Sequence, residues 1–151
     1  MTERPKVYID TNVFIAAFET TVPHHDNAWS LFSAIEEGRL IGVTSELTLA
    51  ELLVKPFEEG AVELAQSNPT MLTTSEGLMV CAIDKRLLVD AARLRSARLG
   101  LKLPDAVHVA TAHRFGCSMI VSDDRGISSG AAISRIPLGP ECLEHVLRDA
   151  P

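Results

Sequence analysis

The chain has 151 residues, of which 46% are hydrophobic and 23% are charged. This composition is ordinary for a globular domain and excludes wholesale disorder. The net charge of −6 argues against a protein that coats nucleic acid through a basic surface. It remains compatible with a cluster of carboxylates that binds a cation and so reverses the local charge.

The apolar runs are far shorter than the ~20 residues that cross a membrane, so we expect no membrane segment. The N-terminal residues lead directly into a strand pattern without the apolar core of a signal peptide, which predicts a cytoplasmic protein. Three cysteines, Cys81, Cys117 and Cys142, fit no zinc motif. We expect them to be small buried hydrophobic residues in a reducing compartment.

The first part of the chain alternates between apolar runs and helical spacing. Residues 6–9 predict a buried strand that ends at Asp10, and residues 11–18 are compatible with a helix. Residues 24–37 place apolar side chains at helical spacing before a glycine. A second strand is predicted over residues 40–44.

In the middle of the chain, a candidate capping residue and a proline set the predicted boundaries of a third helix. Ser45 is a candidate N-cap for a helix that continues through Leu53 and ends near Pro56. Residues 57–66 predict another short helix, and residues 67–69, Ser-Asn-Pro, predict a turn.

The last part of the chain repeats the strand–helix alternation. A third strand is predicted over residues 78–83, and Asp84 is expected to cap a helix that reaches Leu99. A proline in the first turn predicts a helix over residues 104–115. The remaining predicted elements are a strand over 118–121, a weaker strand over 133–138 and a terminal helix over 141–148.

Alternating strands and helices predict an α/β sandwich with a mainly parallel sheet. Ligands of such sheets bind beyond the carboxyl ends of the strands. Asp10 follows the first predicted strand, and Asp123 and Asp124 follow the fourth. The sequence therefore predicts an acidic site at this edge of the sheet.

Two further acids, Glu51 and Asp105, lie in segments that are otherwise suited to burial. An unpaired buried carboxylate is costly, so several of them in one fold suggest a compensating cation. Each acid also has an ordinary structural interpretation. Asp10 is a possible helix cap, Asp105 suits the positive end of a helix dipole, and Glu51 fits a solvated helix face. Asp123 and Asp124 are also typical turn residues.

In chain order, the segments that contain these acids are Tyr8-Ile9-Asp10-Thr11-Asn12, Glu51, Leu103-Pro104-Asp105-Ala106-Val107-His108-Val109-Ala110-Thr111-Ala112 and Ile120-Val121-Ser122-Asp123-Asp124-Arg125. Together they resemble the motifs of the PIN-domain ribonucleases, and among them the VapC-type toxins of type II toxin–antitoxin pairs. The resemblance implies a single PIN-like domain over residues 1–151, with a core from about 6 to 138 and a terminal helix from about 141 to 148. It implies a three-layer α/β/α sandwich around a mainly parallel sheet of four to five strands.

The resemblance assigns Asp10, Glu51 and Asp105 to the first three acids of the family's catalytic site. The family's fourth motif is usually Thr-x-Asp, which aligns with Ser122 and Asp124 in this chain. Strand alternation agrees, since these two side chains share a face, whereas Asp123 points away and stays a second candidate.

The implied activity is endonucleolytic hydrolysis of RNA with Mg²⁺, or Mn²⁺, as cofactor. We expect Asp10 and Asp105 to bind the principal metal ion, and Glu51 and Asp124 to position the attacking water or a second ion. Candidate accessory residues are Thr11, Asn12, Ser122 and Asp123. His108 lies one helical turn from Asp105, so it either approaches the site or is a structural core residue.

RNA binding requires positive charge, and a basic stretch runs over residues 85–102. The candidate phosphate-binding residues are Arg86, Arg93, Arg98 and Arg125, although a solvated helix face also explains the first three. Expected partners are the RNA substrate, a cognate antitoxin and a second copy of the chain in a homodimer.

Other classes of protein share part of this pattern of acids. A haloacid-dehalogenase phosphatase also has an acid after its first strand, but it requires Asp-x-Asp where this chain has Asp10-Thr11-Asn12. A signalling receiver domain carries its paired acids after the first strand, whereas the pair here follows a late one. Two further functions remain compatible with the motifs: a PIN module that binds RNA or assembles without cleaving, and a housekeeping RNA-processing nuclease.

Overall fold

A computed structural model describes residues 3–63, 72–127 and 133–149 of the chain. Strands and helices alternate as the sequence predicts. In chain order the elements are β1 (Lys6–Ile9), α1 (Thr11–Phe18), α2 (His25–Glu36), β2 (Ile41–Ser45), α3 (Glu46–Glu58), β3 (Leu78–Cys81), α4 (Lys85–Ala97), α5 (Leu103–Arg114), β4 (Met119–Val121), β5 (Ser134–Ile136) and α6 (Cys142–Asp149).

The five strands form one parallel sheet in the order β3-β2-β1-β4-β5. Because all five strands run the same way, their carboxyl ends lie at one edge. The central strand β1 lies between β2 and β4, so the residues that follow β1 and β4 are neighbours in space although they are far apart in sequence.

The alternation of side chains along β1 separates two hydrophobic layers. Val7 and Ile9 pack with α1, α2 and α6, whereas Tyr8 packs with α5 on the other face. A third cluster, which includes Leu87 and Ala106, joins α4 to α5. The predicted three-layer α/β/α sandwich with a parallel sheet is confirmed.

Local capping fixes where the helices begin. Ser45 Oγ accepts a hydrogen bond from the amide of Leu47 at 3.1 Å, and Asp84 Oδ1 accepts one from the amide of Leu87 at 2.8 Å. Both predicted caps are confirmed. They position α3 and α4 directly after β2 and β3.

The predicted end of α3 near Pro56 is confirmed to within two residues, since the helix passes through this proline and ends at Glu58. Proline removes only one backbone hydrogen bond here. Pro56 is buried one turn beyond the buried Leu52, and this packing outweighs the lost bond. Phe57 therefore belongs to α3 rather than to a new helix. The predicted helix over 57–66 otherwise extends past residue 63, and the predicted turn over 67–69 also lies outside the described residues.

The three cysteines are buried and form no disulfide, as predicted. Among the described residues, no helix has both the length and the apolar character needed to cross a bilayer.

Candidate active site

Asp10 lies immediately after the central strand β1, and its amide donates a hydrogen bond to the carbonyl of Val121 in β4 at 3.1 Å. Its side chain also caps α1, since Oδ1 accepts a hydrogen bond from the amide of Thr11 at 2.8 Å. The capping interpretation is thus correct. It does not exclude a role in the site, because the same carboxylate lies at the carboxyl edge of the sheet.

The second oxygen of Asp10 is held by two side chains. Ser122 Oγ donates to Asp10 Oδ2 at 2.6 Å, and Asn12 Nδ2 donates to the same oxygen at 3.0 Å. Burial raises the pKa of Asp10, and the opposing effects of His108 and the Ser122 hydroxyl do not cancel this rise. The Asp10 carboxylate is therefore fixed in one orientation, and its neighbours do not fully offset the cost of burying its charge.

Glu51 reaches the same region from α3. Its Oε1 accepts a hydrogen bond from Thr11 Oγ1 at 2.8 Å and lies 2.6 Å from His108 Nε2. Burial acts to raise the pKa of Glu51, but its bonds to His108 and Thr11 outweigh that effect and lower the pKa. With 37% of its side chain exposed, Glu51 is held at the rim of the site rather than on a freely solvated helix face.

Asp105 and Asp124 face each other across Gly126. A Cβ atom added to this glycine would lie 3.0 Å from Asp124 Oδ1 and 3.3 Å from Asp105 Oδ2. Burial raises the pKa of Asp105, and the negative charges of Asp124 and Asp10 raise it further. Glu51 also raises this pKa, so Asp10, Glu51 and Asp124 all lie close enough to Asp105 to affect its charge.

The two adjacent acids after β4 have different surroundings. The amide of Asp124 donates to Ser122 Oγ at 3.0 Å, and its side chain faces Asp105 across Gly126. Asp123 Oδ1 instead accepts a hydrogen bond from the amide of Leu138 at 2.8 Å. This geometry favours Asp124 over Asp123 as the fourth acid.

His108 is almost fully buried, with 1% of its side chain exposed, yet it lies within the site. Its Nε2 is 3.6 Å from Asp10 Oδ1 and 2.6 Å from Glu51 Oε1, and its Nδ1 is 2.6 Å from the Tyr8 hydroxyl. His108 is therefore both a buried core residue and a neighbour of the acids, the two interpretations that the sequence offered. The participation of Tyr8 had no sequence signal, because this contact joins residues that are 100 positions apart.

The family model for the PIN domain matches residues 7–132, which include all four acids. This chain belongs to the PIN domain family. The family resemblance of the motifs is therefore confirmed. No curated protein matches the sequence significantly.

Solved structures share the fold of this PIN domain at low sequence identity. VapC20 of Mycobacterium tuberculosis, a toxin that cleaves the sarcin–ricin loop, has a TM-score of 0.67 and 16% identity, covering 84% of this chain and 96% of its own. A toxin–antitoxin complex from Klebsiella pneumoniae has a TM-score of 0.63 and 20% identity, covering 88% and 98%. VapBC2 of Rickettsia felis, bound to a promoter DNA fragment, has a TM-score of 0.67 and 14% identity, covering 87% and 98%.

The acids of this PIN domain fit a hard divalent cation. All four supply carboxylate oxygens, which suit Mg²⁺ or Mn²⁺. Among the described residues, no group of three or more His, Cys, Asp or Glu side chains is arranged closely enough to hold a metal ion. Mg²⁺ is usually bound through one or two carboxylates together with water, so it requires no such group. Burial raises the pKa of both Asp10 and Asp105, so each carboxylate is costly to ionise without a compensating positive charge.

The candidate RNA-binding arginines lie at different distances from the acids. Helices α4 and α5 pack antiparallel, since Asp84 before α4 contacts Arg114 at the end of α5 at 2.9 Å. Arg86 is therefore at the far end of this pair, roughly 14 Å along the α5 axis from Asp105. Arg98 lies at the end where α5 begins.

The other two arginines differ in their surroundings. Arg125 is exposed directly after Asp124. Arg93 is exposed on α4 and pairs with Asp90 at 3.4 Å. Arg98 and Arg125 are thus the better placed of the four to bind a phosphate near the acids.

Proposed function

We propose that this PIN domain is a metal-dependent endoribonuclease that hydrolyses RNA phosphodiester bonds. The observation that carries the proposal is the convergence of four acids from separate segments at the carboxyl edge of the sheet. Their charges act on one another, and burial raises the pKa of Asp10 and Asp105. Such an arrangement costs stability, which a site that binds a cation and a phosphate would explain.

In this proposal, Asp10 and Asp105 bind the principal Mg²⁺ ion, and Mn²⁺ is a possible substitute. A metal ion bound there would lower the pKa of a bound water and neutralise charge on the phosphate oxygens. Ser122 and Asn12 hold the Asp10 carboxylate in its binding orientation. Glu51 and Asp124 orient the attacking water, or contribute to a second metal position.

The substrate phosphates require positively charged side chains around the cluster of four acids. Arg98 and Arg125 are the best-placed candidates. Arg93 extends the basic surface along α4, and Arg86 lies farthest from the acids. Because the chain is acidic overall, with a net charge of −6, we propose that it binds RNA locally around the pocket rather than along a broad surface.

We further propose that this nuclease is the toxin of a toxin–antitoxin pair in the cytoplasm and that it forms a homodimer. The complexes among its structural neighbours support the first part. Ile15, Phe18 and Trp29 are exposed apolar residues on α1 and α2, and they are candidate contacts for the antitoxin or for a second copy. Phe14 and Phe32, by contrast, pack against each other in the core with ring centroids 5.0 Å apart.

The test of the activity incubates the purified chain with mixed RNA in the presence of Mg²⁺, Mn²⁺ or EDTA. We expect cleavage with either metal, none with EDTA, and none for Asp10→Asn. Asp26→Asn is the matched control, because it removes an equal charge from the exposed start of α2. Intact RNA under every metal condition would support a PIN module that binds or assembles without cleaving.

The toxin assignment is tested by expression in a bacterial host. We expect growth arrest with the wild-type chain, normal growth with Asp10→Asn, and relief when the cognate antitoxin is co-expressed. Cleavage in vitro without growth arrest would indicate a housekeeping nuclease instead.

A further inference from the structure

The two oxygens of Glu51 have different roles in the site. Oε1 accepts a hydrogen bond from Thr11 Oγ1 at 2.8 Å and lies 2.6 Å from His108 Nε2. Among the described residues, no hydrogen-bond donor contacts Oε2. Oε1 therefore anchors the side chain, and Oε2 remains available to a bound ligand.

The hydrogen at His108 Nε2 follows from the chemistry of its partner. An ionised carboxylate can only accept a hydrogen bond, so the imidazole must donate from Nε2 whether the ring is neutral or charged. The opposite ring nitrogen, Nδ1, is 2.6 Å from the hydroxyl of Tyr8 on β1. Burial raises the pKa of Tyr8, so this hydroxyl keeps its proton.

The imidazole is thus held at both ends, by a buried contact with Tyr8 on β1 and a part-buried contact with Glu51 on α3. Turning the ring over would break both short bonds, at a residue with 1% of its side chain exposed. Glu51 itself is attached to α3 through a flexible side chain that is 37% exposed. Without the imidazole, only the bond from Thr11 would limit its rotation.

We propose that Tyr8 and His108 are positioning residues of the nuclease site. They fix Glu51 Oε1 and so keep Oε2 available to the attacking water. This inference rests on the proposed ribonuclease activity, in which Glu51 orients the attacking water. Tyr8 fixes the ring, the ring fixes one carboxylate oxygen, and neither residue contacts the substrate. Partners of this kind typically contribute 10–100-fold to activity, because small displacements of a catalytic group slow the reaction strongly.

The test compares four variants by steady-state cleavage of a fluorescent RNA at saturating Mg²⁺. His108→Leu keeps an apolar side chain but removes the donor, whereas His108→Gln keeps an N–H near the position of Nε2. Tyr8→Phe removes only the hydroxyl that contacts Nδ1. Thr111→Val is the matched control, since it removes a buried hydroxyl from the same helix that bonds only the carbonyl of Val107 at 2.7 Å.

We expect His108→Leu to lower kcat by about 10–100-fold with KM changed less than about twofold, because the residue acts through Glu51 rather than on RNA binding. His108→Gln should recover most of that loss, and Tyr8→Phe should show a smaller decrease in kcat. Thr111→Val should keep the wild-type kcat. Circular dichroism confirms that each variant is folded, and the Gln and Phe variants decide the question if the Leu variant does not fold.

Nitrogen-15 NMR of labelled histidine supplies a readout that is independent of activity. In the wild type we expect a hydrogen on His108 Nε2, and in Tyr8→Phe a loss of the single ring arrangement. A bare Nε2 in the wild type would overturn the proposal. The proposal would also be overturned if His108→Leu had the same kcat as Thr111→Val, or if His108→Gln were no more active than His108→Leu.

The two proposals fail in distinguishable ways. If the wild-type chain cleaves no RNA with any metal, the proposed function is wrong and the positioning role falls with it. If the wild type cleaves RNA and both Tyr8→Phe and His108→Leu keep the wild-type kcat, only the positioning role is wrong.

Discussion

The hydroxyl of Ser122 connects three parts of the site, and its removal gives a quantitative prediction. It donates to Asp10 Oδ2 at 2.6 Å and accepts from Asn12 Nδ2 at 3.2 Å and from the amide of Asp124 at 3.0 Å. Ser122 is completely buried. Ser122→Ala therefore removes a short bond to a buried carboxylate that solvent does not readily replace.

The size of the effect follows from the type of bond. A hydrogen bond to a charged group contributes about 1.5–3 kcal/mol, compared with about 0.5–1.5 kcal/mol for a neutral one. In a domain of this length, each kcal/mol corresponds to about 2–4 °C in Tm. We therefore expect Ser122→Ala to lower Tm by about 3–12 °C at neutral pH. Thr111→Val removes a neutral bond and should lower Tm less.

The effect should also depend on pH with a definite sign. The Ser122 hydroxyl partly opposes the burial that raises the pKa of Asp10, so its loss raises the folded-state pKa further. The difference in unfolding free energy between wild type and variant is fully present while Asp10 is ionised. It shrinks as the pH falls through the folded-state pKa.

The assay is urea unfolding of wild type, Ser122→Ala and Thr111→Val without metal, as the pH is lowered from about 7 toward about 4. The Thr111→Val difference should stay constant over this range. A Ser122→Ala difference no larger than that of Thr111→Val, and equally constant, would refute the argument that this hydroxyl stabilises an ionised Asp10.

Three further predictions concern the acids. Gly126→Ala should weaken Mn²⁺ binding about tenfold or more in calorimetry, because its Cβ displaces the carboxylates of Asp105 and Asp124; unchanged affinity would contradict this. Asp105→Asn should raise Tm without metal at neutral pH, and the gain should vanish below the unfolded-state pKa; no gain at neutral pH would show that the charge is already compensated. Asp124→Asn should abolish RNA cleavage while Asp123→Asn retains it, since Asn still accepts the bond from the Leu138 amide; the reverse result would exchange their roles.

The local patterns of the sequence predicted the elements of the fold well. The alternation along β1 and the caps at Ser45 and Asp84 are short-range features, and they appear where the sequence placed them. The predicted start of a new helix at Phe57 was wrong, because the helix-breaking tendency of Pro56 is a local preference that burial overrides. Boundaries of this kind depend on contacts that a local pattern does not contain.

The site was accessible from the sequence only in part. Topology alone brings Asp10 beside the segment that contains Ser122 and Asp124, because parallel strands end at one edge. The choice of Asp124 over Asp123 came from the resemblance to the family's Thr-x-Asp motif, with which strand alternation agrees, and the geometry favours it. The bond between Tyr8 and His108 had no such basis, because it depends on how α5 packs across the sheet.

The distance in sequence between Asp10 and Ser122 has a consequence for synthesis. These residues are 112 positions apart, yet the orientation of the Asp10 carboxylate depends on the bond between them. While the chain is being translated, β1 lacks its β4 neighbour until nearly the whole domain has left the ribosome exit tunnel. The Asp10 carboxylate of a growing polypeptide therefore cannot adopt this orientation until the segment that follows β4 has emerged, so this part of the candidate site forms late in the assembly of the domain.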